Sequence, residues 1–185
     1  MSTLKVLGVA GSLRAASYNR GLLRAAVELA PTGMQVSTFD LRPIPMYDAD
    51  LEALGVPEPV DALKQAIREA DGLLIATPEY NYGVPALLKN AIDWASRPAK
   101  GSPLQGKPAA LMGASPGMAG TIRAQLQLRQ SFVFTQTLCM PQPEVVIPRA
   151  HEKFDDEGNL TDESTRAYLG KMLEAFGAWV LRVRD

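Results

Sequence analysis

The sequence predicts an α/β fold, a three-layer sandwich in which five parallel strands carry helices on both faces. Two patterns predict it. Five short apolar runs, most of them nearly unbroken, have the composition of strands covered on both sides. They alternate with five stretches whose apolar residues recur at helical spacing, the signature of a parallel sheet with crossover helices. The strand order 2-1-3-4-5 and a Rossmann half both satisfy that alternation. In such sheets ligands sit in the crevice outside the carboxyl ends of the strands.

The first strand is Leu4 to Ala10. After the loop Gly11 to Asn19, Leu22, Leu23, Ala26, Val27 and Ala30 stripe a helix closed by Pro31 and Gly33. Met34 to Phe39 alternates more strongly, which suits a strand nearer the edge. Residues 41–59 hold four prolines and read as a long irregular connection with one short helical turn around Ala49 to Leu54; long loops in compact domains are often functional. Leu63, Ala66, Ile67 and Ala70 mark the next helix, and Leu73 to Ala76 the third strand. Then comes the most informative stretch, Pro78 to Trp94. A polar aromatic loop, Pro78 to Gly83, leads into a helix with Pro85 placed for its first turn, where a missing N–H has no intrahelical partner to lose. Pro108 to Gly113 is the fourth strand, Thr121 to Thr137 a helix, and Glu144 to Ile147 a short fifth strand between prolines. The last helix is expected to start from a Thr161 cap, with Asp162 and Glu163 in its first turn.

A chain of 185 residues is long enough to bury a core without disulfides or metals, and is most simply one domain, residues 1–185. A formal net charge of −1 leaves no electrostatic footprint for nucleic acid or anionic membrane. No apolar run approaches the length of roughly 18 residues that would span a bilayer, and the first residues do not resemble a signal peptide. The lone Cys139 fits a reducing compartment. A cytoplasmic location is the expectation.

Three loops could carry chemistry. Gly11 to Asn19 leaves the first strand and enters a helix N-terminus, where backbone N–H groups and the helix dipole converge on an anion. Ser12 and Ser17 add hydroxyls, Asn19 an amide, and Arg14 a planar cation suited to phosphate. Neither the P-loop nor the dinucleotide glycine pattern is present, so a single terminal phosphate fits better than a pyrophosphate. Asp40 ends the second strand where a Rossmann protein would hold a ribose, but the glycines are lacking. In the second loop, Tyr80 and Tyr82 bracket Asn81, with Pro78 and Glu79 before them. Half-buried aromatics packing on the sheet end would explain either tyrosine alone. Together with an amide they suit a planar heterocycle, which needs an apolar face and polar groups at its edge. Glu79, which as a buried acid would need a partner, reads as readily as a helix cap or structural acid as it does as a catalytic group.

The third loop, Gly113 to Gly117, matches G-x-S-x-G between strand and helix, and Glu144 and His151 follow in the chain order of an α/β-hydrolase triad. Pro116 counts against that reading. It has no N–H to give an oxyanion hole, and it drives Ser115 toward extended geometry. Ser115 and Gly117 then read as a close-approach turn at the edge of a flat ligand. His151 and Cys139 lack ligand-spaced neighbours, so no metal site is expected. Trp94 and Trp179 lie on helix stripes and read as core.

The segments G-S-L-R-A-A-S-Y-N (11–19) and P-E-Y-N-Y-G-V-P-A-L-L-K-N-A-I-D-W (78–94) resemble the NADPH-dependent FMN reductase family, in its quinone and chromate reductase branch. The resemblance implies a flavodoxin-like fold, order 2-1-3-4-5, with FMN bound non-covalently. It implies hydride from NADPH or NADH and electrons passed to quinones, and loosely to chromate, azo compounds or free flavin. By motif it places the ribityl phosphate on Ser12, Arg14, Ser17 and Asn19. It places the isoalloxazine against Pro78, Glu79, Tyr80, Asn81 and Tyr82, with Ser115 and Gly117 at its far edge and no catalytic side chain required. The third loop departs from the family at Thr121, where a second glycine is common. Related proteins are dimers or tetramers, so a homodimer or homotetramer is expected, with Arg123 and Glu144 as candidate interface charges or internal pairs. The other class of function is a flavodoxin-like electron carrier that turns over no small substrate; its usual acidity is absent here.

Overall fold

The computed structural model describes residues 3–98 and 100–184. The elements are β1 (Leu4–Ala10), α1 (Tyr18–Glu28), β2 (Met34–Phe39), α2 (Ala49–Leu54), α3 (Glu58–Glu69), β3 (Gly72–Ala76), α4 (Ala86–Ala95), β4 (Pro108–Ala114), α5 (Ile122–Thr135), β5 (Leu138–Cys139), β6 (Val145–Ile147) and α6 (Glu163–Val183). All sheet pairs are parallel and run β2-β1-β3-β4-β5, the flavodoxin-like order, with β6 also against β4.

The expected fifth strand is therefore two pieces. β5 pairs with Pro108 and Ala109 at the start of β4, and β6 with Met112 to Ala114 at its end. Pro141 and Pro143 between them carry no N–H for the ladder, so pairing breaks there and resumes beyond. Two helix starts also differ from expectation. Pro85 is the extended residue before α4 rather than in its first turn. The cap of α6 is Asp162, not Thr161: its carboxylate accepts from Thr165 N (2.8 Å) and from the hydroxyls of Ser164 and Thr165. A carboxylate can serve all three donors where a threonine hydroxyl could not, and these bonds, Ser164's foremost, hold its pKa far below the usual carboxylate range.

Residues alternate across the sheet into two cores. Leu74 and Ala76 of β3 face a cluster with Leu22 and Ala26 of α1 and Leu169, Leu173 and Phe176 of α6. Leu73 and Ile75 face Val60, Leu63 and Ile67 of α3, Leu88 and Trp94 of α4, and Leu128 and Phe132 of α5. The long connection is pinned to this second layer. Asn90 Nδ2 and Trp94 Nε1 both donate to Pro45 O at 2.8 Å, and Tyr47 N donates to Asn90 Oδ1 at 2.7 Å. Trp94 is thus core, as expected, with its indole N–H satisfied.

Helix α1 packs so closely on the 155–159 loop that a Cβ at Gly21 would collide with the carbonyl of Gly158. Helix propensity alone makes Gly→Ala stabilising by about 1 kcal/mol. Here the steric term dominates: Gly21→Ala should lower stability by about 1–3 kcal/mol, read as a reduced urea midpoint at unchanged m-value.

Candidate functional site

The carboxyl ends of β1, β3 and β4 deliver three loops to one crevice of about 280 Å³. Eight of the eleven residues singled out in the sequence line it: Ser12, Arg14, Ser17, Asn19, Pro78, Glu79, Tyr80 and Ser115, joined by Tyr18, Ala114 and Pro116. Asn81, Tyr82 and Gly117 are not in its lining.

At one end stands the N-terminus of α1. Ser17 is its extended cap residue, yet its hydroxyl makes no capping hydrogen bond. The first-turn N–H groups and the buried Ser12 and Ser17 hydroxyls are therefore available to an oxyanion. Arg14 is exposed, its guanidinium 5.3 Å from the Tyr18 ring centroid, and reaches the crevice from the loop. Asn19 has a different first duty. Its Nδ2 donates to Ala114 O (2.9 Å) and its Oδ1 accepts from Ala114 N (3.0 Å), clamping α1 to the end of β4 and fixing the distance between the first and third loops.

The second loop is a two-residue hairpin. Tyr80 and Gly83 exchange backbone hydrogen bonds of 3.1 and 2.9 Å, and the residues between them, Asn81 (φ 51°) and Tyr82 (φ 64°), are both left-handed. That is the backbone a type I′ turn requires. Asn tolerates it; a bulky tyrosine is strained there. Arg123 offsets the strain by lying 3.9 Å over the Tyr82 ring. The same arginine pairs with Glu79 Oε1 at 2.8 Å, while Glu79 Oε2 accepts from Arg123 N (2.9 Å) and Ala124 N (3.2 Å). Thr121, the N-cap residue of α5, contributes no side-chain cap, so Glu79 caps that helix from another loop. Gln127 Oε1 adds a 2.7 Å bond from Val84 N. Arg123 is thereby an internal partner of Glu79, and Glu144 pairs with Arg129 at 3.7 Å. No sequence spacing could have linked Glu79 to Arg123, because their meeting depends on strand order.

In the third loop, Ser115 Oγ accepts from Gly117 N at 3.1 Å, closing a tight turn. Gly113 makes room for Thr121: a Cβ on Gly113 would collide with the Thr121 hydroxyl and the Thr77 carbonyl. Thr121 fills the space of that missing side chain, fully buried, and its hydroxyl accepts from Gln125 Nε2 (3.1 Å). The hydrolase constellation does not assemble. Ser115, Glu144 and His151 make no hydrogen bonds to one another; His151 is exposed beside Glu152. Cys139 is partly buried against Arg129, and burial pushes its thiol pKa up. Among the described residues no three His, Cys, Asp or Glu side chains gather to hold a metal ion. No helix among them is long and apolar enough to cross a membrane.

The residues present fit a flavin mononucleotide: uncommitted donors for a dianion at one end, and Pro78, Tyr80 and Pro116 with the Ser115 turn to meet a planar ring. Comparison with known proteins points the same way. Residues 4–152 match the family model described as NADPH-dependent FMN reductase. The chain is 49% identical over 181 residues to an NAD(P)H-dependent FMN reductase of Pseudomonas aeruginosa, covering 98% of this chain and 97% of that one. It is 42% identical over 184 residues to a quinone reductase of Escherichia coli, with coverage of 98% and 97%. The solved structure of FerB, a flavoenzyme NAD(P)H:(acceptor) oxidoreductase from Paracoccus denitrificans, superposes with a TM-score of 0.87 at 37% identity, covering 97% of this chain and 98% of that one.

If Glu79 caps α5 across the crevice, Glu79→Ala leaves two helix N–H groups and Arg123 without their acceptor. Stability should fall by about 1–3 kcal/mol, measured by urea unfolding, with Glu79→Gln between variant and wild type. An unchanged midpoint for Glu79→Ala would show that the bridge carries no stability.

Proposed function

The chain belongs to the NADPH-dependent FMN reductase family, and on that footing we propose that it is an FMN-dependent NAD(P)H oxidoreductase that reduces quinones. Chromate, azo compounds and free flavin are its looser acceptors, and it works in the cytoplasm, where its single thiol stays reduced. The observation that carries the reading is the meeting of the three loops in one crevice, with a phosphate-type end and an aromatic end. FMN, when bound, would supply the redox chemistry, that is, hydride acceptance from the reduced nicotinamide and electron delivery to the acceptor. The chain's own residues bind and orient. Ser12, Arg14, Ser17 and the α1 N-terminus take the phosphate. Tyr80 and the turn at Asn81 and Tyr82 flank the ring system, and the Ser115–Gly117 turn meets its edge. No side chain in the crevice has to hold or move a proton, which agrees with a His151 that is exposed and outside the crevice lining.

We read the assembly as a homodimer or homotetramer. Helix α5 supports this, because it is apolar on two sides: Leu128 and Phe132 enter the core while Leu126, Val133 and Phe134 are exposed. An exposed apolar helix face of this kind marks an association surface.

The purified protein should be yellow, and NADPH should bleach it without oxygen until a quinone restores the colour. A colourless protein that takes up no added FMN would refute the reading; bound FMN that neither NADPH nor NADH reduces would make it an electron carrier.

Arg14→Ala removes a charge-assisted bond to the phosphate and should weaken FMN binding roughly 10- to 150-fold. Riboflavin, which lacks the phosphate, should bind equally to both proteins in a fluorescence titration. Equal weakening of both ligands would assign Arg14 to the loop instead.

A further inference from the structure

A second cavity, of about 180 Å³, opens at the carboxyl ends of β1 and β2, and the buried Ser12 lines both it and the crevice. Three arginines line it, Arg20 and Arg24 from α1 and Arg42 from the start of the long connection, against one carboxylate, Asp40. That carboxylate is already engaged. Arg42 grips it with Nε at 3.1 and 2.8 Å from its two oxygens and Nη2 at 2.7 Å. Arg24 gives its Nη2 to Gly158 O (3.0 Å) and Asn159 Oδ1 (2.9 Å). Arg20, half-buried in the same wall, makes no ion pair among the described residues. Apolar side chains, those of Leu13, Leu23, Phe39 and Leu41, make up much of the remaining wall. The cavity thus sets an uncommitted guanidinium against an apolar surface.

Those features define a ligand by its chemistry. The excess of positive charge calls for an anion. A bare inorganic oxyanion would meet the arginine but leave the apolar wall against water, so the anion that fits carries an apolar body. The cavity is smaller than the roughly 300–1,000 Å³ that take drug-sized ligands, which leaves room for one ring, and Phe39 offers that ring an aromatic partner. A guanidinium fork matches a carboxylate through two parallel hydrogen bonds. We propose that this cavity is a binding site for a single-ring aromatic carboxylate, with Arg20 holding the carboxylate and Phe39 and the leucines covering the ring. The proposal does not rest on the oxidoreductase reading, because the cavity shares only Ser12 with the crevice lining.

The probe is benzoate, titrated by calorimetry into the FMN-loaded protein, in which the flavin occupies the crevice. It should bind more tightly than acetate, which lacks the ring, than benzamide, which lacks the charge, and than inorganic phosphate, which lacks the apolar body. Arg20→Ala puts a good helix former on α1 and so keeps the fold. It should weaken benzoate binding roughly tenfold or more, as loss of one charge-assisted hydrogen bond requires. Arg20→Lys, which keeps the charge without the planar fork, should restore part of the loss. A crystal soaked in benzoate should show the carboxylate on Arg20. Acetate or benzamide bound as well as benzoate, phosphate bound better, or an unchanged affinity in Arg20→Ala would each overturn the assignment. So would a ring seated elsewhere in the crystal, or release of FMN as benzoate binds, which would move the ligand to the crevice. A chain that takes up no FMN fails the oxidoreductase reading by itself; titration of the unloaded protein, wild type against Arg20→Ala, then decides this one.

Discussion

The crevice depends above all on Glu79. Its two oxygens join the turn that leaves β3 to the first N–H groups of α5 and to Arg123, which holds the Tyr82 ring. A parallel sheet fixes where its strands end but leaves the loops beyond to be held by their own contacts. This one carboxylate, 7% exposed, settles the second loop against the third. Asn19 does the same between first and third with a reciprocal pair of bonds to Ala114. With both braces in place the three loops behave as a single wall, and a ligand need not pay to order them.

Strain and restraint are matched in the second loop. A tyrosine in the left-handed region persists only where its surroundings over-determine it. At Tyr82 those surroundings are the hairpin bonds between Tyr80 and Gly83 and the guanidinium stacked on the ring. The outcome is an aromatic side chain projecting from a tight turn, well exposed, two residues beyond the crevice-lining Tyr80. A glycine there would adopt the backbone freely and leave that edge bare.

Much of the fold was legible in the sequence because its strands are buried on both faces. Leu73 to Ala76 had to be apolar throughout, and the short helical turn at Ala49 to Leu54 was read to the residue. What escaped were features decided by partners far along the chain. The division of the fifth strand into β5 and β6 follows from two prolines, yet which residues of β4 each piece would meet could not be read locally. The cap of α6 went to Asp162 rather than Thr161 because three donors converge on a carboxylate, and convergence has no spacing rule. Of the site, the lining residues came from motif and loop position. Their bracing did not: from sequence Glu79 reads equally as a cap or structural acid and as a catalytic group, and only strand order brings α5 beside it.

Thr121 shows how a branched side chain is accommodated at the mouth of α5. A glycine after Gly120 would leave the third loop free to move; a threonine adds a branched side chain where the loop turns into α5. The space for it comes from Gly113, at the end of β4, whose absent Cβ the threonine hydroxyl occupies. That hydroxyl accepts from Gln125, and the Gln125 amide goes on to Val145 O of β6 at 3.0 Å. Thr121 thus ties the third loop to β6. So held, the Ser115–Gly117 turn stays where the edge of a flat ligand would meet it.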